Sequence, residues 1–97
     1  MKPTWTLLAK RRALEIRADI AKDNEAAAAR TIGKIRAAVN RLEAYPMCGR
    51  PGRSVGTREL VVSGTPYIVP YQIIGKRIEI LSVVHGKQQW PQRFQRE

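Results

Sequence analysis

Residues 56–86 read GTRELVVSGTPYIVPYQIIGKRIEILSVVHG. The stretch is rich in Val, Ile, Thr and Tyr, the residues that suit a pleated, half-buried surface. It is interrupted at Ser63-Gly64 and at Gly75-Lys76, where glycine permits a tight turn. Three strands are therefore predicted: Leu60 to Val62, Tyr67 to Ile74, and Arg77 to Val84. In the third, Ile78, Ile80 and Val84 stand against Arg77 and Glu79, the pattern of a strand with one buried face. Pro70 lies inside the second strand and has no N–H to donate, so a bulge or a gap in the pairing is expected there. Tyr67 and Tyr71 are four apart and share a face unless that bulge intervenes.

Upstream, residues 46–56 (PMCGRPGRSVG) are expected to form a loop, with two prolines, three glycines and two arginines. Before it the spacing becomes helical. Ala9, Ala13, Ile16 and Ile20 recur every three or four residues, and Thr6 is placed to cap their helix. Asp23 or Asn24 restarts the pattern, and Ile32, Ile35, Val39 and Leu42 continue it until Pro46. Residues 2–5 suit a short strand leading into the first helix. The expected architecture is α+β: an N-terminal helical hairpin packed on a small, largely antiparallel twisted sheet, in the order β-α-α-β-β-β. Ile16, Ile20, Ile32, Ile35, Val39 and Leu42 should then pack on Leu60, Val62, Ile78 and Ile80.

The chain has 97 residues, the length of one small domain spanning 1–97. Its 18 Lys+Arg against 8 Asp+Glu give a net charge of +10, which invites an anionic partner, either nucleic acid or an acidic protein. The single cysteine, Cys48, excludes an internal disulfide and suits a reducing compartment. No apolar run is long enough to cross a membrane, and no secretory signal is recognised, so a cytoplasmic protein is expected.

Little in the chain is chemically reactive. One histidine and one cysteine cannot build a zinc site without clustered carboxylates, and no glycine-rich loop precedes a helix. No metal or cofactor is expected. Cys48 is read as a loop thiol. His85, just past the third strand, is read as a strand-end residue with a functional alternative, because imidazole titrates near neutral pH. Arg58 opens the first sheet strand. It is read either as a functional cation or as the partner of a carboxylate such as Glu59 or Glu79.

The segments DNEAAAARTIGKI (23–35), LEAYPMCGRPG (42–52), GTRELVVSGTPYIVPY (56–71) and IEILSVVHGKQQWP (78–91), in that order, resemble the ParE/RelE superfamily of bacterial toxins from toxin–antitoxin systems. The resemblance runs from about Trp5 to Pro91 and implies the same helical hairpin on a sheet. It also implies a cognate antitoxin that couples a DNA-binding domain to a flexible, often acidic tail. RelE-like members cleave mRNA on the ribosome, whereas ParE-like members poison DNA gyrase. The ribonuclease branch carries cations on its first two sheet strands, where this chain has Glu59 to Val61 and Ile68. The resemblance therefore favours a gyrase inhibitor with no chemistry of its own. A ribosome-dependent ribonuclease and a non-toxic antitoxin-binding remnant are the alternatives. No catalytic residue is assigned; a nuclease would have to use Arg58, His85 and Lys87. Arg50, Arg53, Arg58, Lys87, Trp90, Arg93 and Arg96 are the candidates for target contact. Arg11, Arg12, Arg17, Arg30, Lys34 and Arg41, on the helix faces, are the candidates for antitoxin contact.

Overall fold

A computed structural model describes residues 1–88. The chain opens with strand β1 (Pro3–Trp5), followed by helices α1 (Leu7–Ala21) and α2 (Glu25–Asn40) and one 3-10 turn, Arg41–Glu43. Five strands follow: β2 (Arg50–Pro51), β3 (Arg58–Val61), β4 (Tyr67–Ile74), β5 (Arg77–Ile80) and β6 (Val84–His85). The sheet order is β1-β5-β4-β3-β2, with β6 also pairing β4. β1 runs parallel to β5, and every other pairing is antiparallel. The expected α+β fold is present, with two short additions. Two residues of the predicted loop, Arg50 and Pro51, pair with Glu59 and Arg58 as β2. The predicted third strand is split into β5 and β6.

Pro70 explains the split. Tyr71 pairs with Ile80, and Ile68 with Val84, so two residues of β4 lie opposite the three residues Leu81, Ser82 and Val83. The ladder is interrupted on this side only. Leu81 N–H donates to the Pro70 carbonyl at 2.9 Å, which shows that Pro70 turns its hydrogen-bonding side to the gap. A residue without an N–H is tolerated there because no ladder partner waits for it. The β4–β5 turn at Gly75-Lys76 has positive φ at Gly75 alone (58°), as a type II′ hairpin requires.

Both helix starts are capped as the sequence suggests. Thr6 Oγ1 accepts from Ala9 N–H at 3.2 Å, and Asn24 Oδ1 from Ala27 N–H at 2.9 Å. Thr6 also donates its hydroxyl to the Ile80 carbonyl at 2.8 Å, so one residue caps α1 and ties its start to β5.

The core lies between α2 and one face of the sheet. Ile35, Ala38, Val39 and Leu42 meet Leu60, Val62, Val69, Tyr71, Ile78 and Ile80 there. α1 departs from expectation. Only Ala9 is fully buried; Ala13 and Ile16 pack partly against the core, and Ile20 is half-buried. The cause is geometric: α1 leans mainly on α2 and reaches the sheet chiefly at its own beginning, next to β1. Leu7 and Leu14 are left exposed.

Candidate functional site

Strand parity decides where the basic residues go. Successive side chains on β3 point to opposite faces. Leu60 and Val62 face the helices, so Arg58 does too, while Glu59 and Val61 face away. Arg58 therefore cannot pair with Glu59 beside it. Its Nη2 instead donates to the carbonyls of Met47 (3.1 Å) and Gly49 (2.5 Å), and its Nε is buried without a partner. Glu79, the other carboxylate considered for Arg58, accepts from Gln72 Nε2 at 2.9 Å and lies 3.6 Å from Arg77. The guanidinium of Arg58 thus closes the 46–49 segment onto the sheet. Tyr71 assists: its hydroxyl donates to the Pro46 carbonyl at 2.7 Å and accepts from Gly49 N–H at 3.0 Å.

His85 sits elsewhere. It pairs with Tyr67, whereas Arg58 pairs with Tyr71 on the opposite edge of β4. Four residues of strand separate the two positions by about 13 Å, before the width of the intervening strand is added. His85 Nδ1 accepts from Lys87 N–H at 3.2 Å. The ring meets Tyr67 edge-on, with centroids 5.9 Å apart and planes at 80°. Burial, and then the Asp19 carboxylate, push the Tyr67 phenol above its ordinary value of 10.0. At neutral pH it is a hydrogen-bond donor and not a base. Arg58 and His85 are thus not brought together, and His85 and Lys87 meet through the Lys87 backbone.

A different cluster does form, on the face away from the helices. Arg50 and Arg53 converge on Glu59, which is 1% exposed. Arg53 also reaches the Gly86 carbonyl (3.5 Å), which brings the β2–β3 loop beside Lys87. The Glu59 charge does not stand open to an approaching phosphate, because two guanidiniums cover it. Val61 is exposed and Ile68 buried, so neither supplies a cation on that face. Trp90, Arg93 and Arg96 lie outside the described residues. Among the described residues no cluster of His, Cys, Asp or Glu could hold a metal ion, and no helix is long and apolar enough to cross a membrane.

The helix pair has its own surface feature. A groove of about 630 Å³ runs between α1 and α2 beside β1. Trp5, Ala13, Leu14 and Ile32 give it an apolar lining, and Lys10, Arg17 and Arg36 add cations. Of the candidates for antitoxin contact, Arg17 lines this groove. Arg11, Arg30 and Lys34 are exposed on the helices, and Arg12 is engaged with Glu15 at 2.6 Å. Arg41 lies apart, beside Tyr45 and Cys48 near β2. Leu14 and Trp5 were not singled out as contact residues from sequence. The available signal was Leu14 falling off the Ala9–Ala13–Ile16–Ile20 stripe, a large apolar side chain that the hairpin does not bury.

A helical hairpin on a mixed sheet, with cationic surfaces and an uncovered apolar groove, has the build of a small toxin from a toxin–antitoxin pair. A solved chain described as "Chromosomal ParDE TA system from P. aeruginosa" has this fold, with a TM-score of 0.79 and 26% identity over 88% of this chain and 95% of that chain. The protein named "Putative toxin Y4kP" from Sinorhizobium fredii is 54% identical over 88 residues, 91% of each chain. The family model for the ParE toxin of the type II toxin-antitoxin system, parDE, matches residues 4–90. The chain belongs to the ParE toxin family.

Proposed function

We propose that this ParE-family toxin arrests growth in the bacterial cytoplasm by binding DNA gyrase, and that a cognate antitoxin neutralises it. The observation that carries this reading is the separation of Arg58 from His85, each engaged locally, Arg58 with the Met47 and Gly49 carbonyls and His85 with Lys87 N–H. Cleavage beside a 2′-hydroxyl needs proton transfer and stabilisation of the phosphorane at one point. The cations that do gather, Arg50 and Arg53 with Lys87 nearby, suit binding; Trp90, Arg93 and Arg96 are further candidates for target contact by sequence. The purified protein is expected to inhibit gyrase supercoiling and to leave ribosome-bound mRNA intact. His85→Ala should change toxicity by no more than a few-fold, because the His85 ring is engaged locally, with the Lys87 N–H and with Tyr67. Cleaved mRNA that disappears with His85→Ala would reverse the assignment in favour of the ribonuclease. That second reading keeps some force from Glu59, whose covered charge leaves the loop arginines able to attract phosphate.

The antitoxin is assigned to the helical hairpin. An amphipathic acidic segment would set its apolar side chains on Trp5, Leu14 and Ile32, with carboxylates toward Lys10, Arg17 and Arg36. Arg11, Arg12, Arg30, Lys34 and Arg41 supply the wider field that steers association. Charges beyond about 10 Å are screened at 0.1 M ionic strength, so the association rate should fall steeply as salt is raised. A rate that does not change with salt contradicts this electrostatic role.

A further inference from the structure

One buried carboxylate holds both Arg50, on β2, and Arg53, on the β2–β3 loop. Glu59 Oε1 accepts from Arg50 Nε at 3.1 Å and from Nη2 at 3.0 Å. Glu59 Oε2 accepts from the Arg53 backbone N–H at 2.7 Å and lies 3.3 Å from Arg53 Nε. The carboxylate side chain is 1% exposed, while those of Arg50 and Arg53 remain 53% and 44% exposed. Withdrawing a carboxylate this far from water is unfavourable unless its lone pairs are filled, and an apolar residue under the loop would often stabilise as well or better. An apolar residue would not, however, set the direction of two guanidiniums.

We infer that Glu59 is a positioning residue: it orients Arg50 on β2 and Arg53 on the β2–β3 loop so that, with Val55, they form a preformed contact surface for an acidic patch on the protein target. The inference rests on the target-binding reading above. Further contacts hold the loop in shape. Gly52 N–H donates to the Thr57 carbonyl at 2.8 Å, and the Thr57 hydroxyl donates to the Ser54 carbonyl at 2.7 Å. Gly52 is required, since a Cβ there would overlap Thr57 Oγ1 and come within 2.8 Å of its carbonyl oxygen. Val55, half exposed within this loop, adds an apolar side chain to the same segment. Two guanidiniums against one carboxylate leave the loop net positive, which selects an acidic partner. A surface ordered before contact loses less conformational freedom on binding.

The test is a double-substitution cycle with Glu59→Gln and Arg53→Ala, read on growth arrest in bacteria expressing the full chain and on gyrase supercoiling in vitro. Glu59→Gln keeps the shape and removes the charge. It should weaken both effects about tenfold or more, the scale of losing charge-assisted hydrogen bonds. Adding it to Arg53→Ala should do much less than adding it to wild type, because part of its action passes through Arg53. A purely structural role would instead lower the melting temperature and the activity in parallel, whatever stands at position 53. If Glu59→Gln fails to fold, Glu59→Asp keeps the charge but draws it back from the guanidiniums, and should weaken activity in a chain that still melts cooperatively. Loss of growth arrest without any effect of the wild type on gyrase supports the role of Glu59 and rejects gyrase as the target. A folded Glu59→Gln or Glu59→Asp protein with wild-type growth arrest, or fully additive effects in the cycle, overturns the inference.

Discussion

Tyr71→Ala is expected to leave a chain that is largely unfolded at 37 °C. Tyr71 is the largest fully buried side chain among the described residues, and it sits at the centre of the helix-facing side of the sheet. Truncating a buried aromatic to alanine costs about 3–5 kcal/mol. The hydroxyl adds a separate loss. It accepts from Gly49 N–H and donates to the Pro46 carbonyl, and each group left buried without a partner costs about 1–3 kcal/mol. A domain of this size is stable by roughly 5–15 kcal/mol, so the two losses together approach the whole. Tyr71→Phe separates them. It keeps the ring and orphans both backbone groups, and should cost about 1–3 kcal/mol. Urea unfolding followed by circular dichroism gives the order: wild type most stable, then phenylalanine, then alanine far below. An alanine variant within about 1 kcal/mol of wild type would mean that Tyr71 is not the centre of this core.

The same residue shows what could be read from the sequence and what could not. The β-prone run Tyr67–Ile74 between two glycine turns, and the proline within it, were sufficient to place β4 and to expect a break at Pro70. The helix caps were equally legible, because Thr6 and Asn24 each stand just before an apolar helical repeat. Local chemistry dictates such features. The destination of the Tyr71 hydroxyl was not legible, since its partners lie 22 and 25 residues away in a segment with no periodicity. The clamp on Glu59 was hidden for a related reason. Its donors come from a loop whose path depends on glycines and prolines that no pattern orders. Arg58 could have been placed better: its neighbour on the strand, Glu59, must point to the other face, and parity alone removes that ion pair. The partial exposure of α1 was illegible because a helix with an apolar stripe does not announce how much of it a small sheet can reach.

Leu42→Ala and Leu14→Ala should divide stability from binding. Leu42, on the 3-10 turn that ends α2, is 0% exposed and belongs to the core against the sheet. Its truncation removes buried methyl groups and leaves a cavity, at about 2–5 kcal/mol. For a domain near this length, each kcal/mol lowers the melting temperature by about 4–8 °C, so a fall well beyond 10 °C is expected. Leu14 is the same residue type one helix away, but it is 65% exposed on the wall of the α1–α2 groove. Its truncation removes little that folding buries, and surface changes of this kind usually stay within about 0.5 kcal/mol. If the groove receives the apolar side of an acidic segment, Leu14→Ala should slow nothing in folding and yet speed dissociation of the complex. Burying a leucine contributes about 1.5–3 kcal/mol, or roughly a tenfold loss of affinity or more when that contact is removed. Thermal melting of both variants, and antitoxin dissociation rates for Leu14→Ala, make the comparison. A Leu14→Ala protein with wild-type dissociation would move the antitoxin off this groove, and one that melts as low as Leu42→Ala would show that α1 buries more than its exposed face suggests.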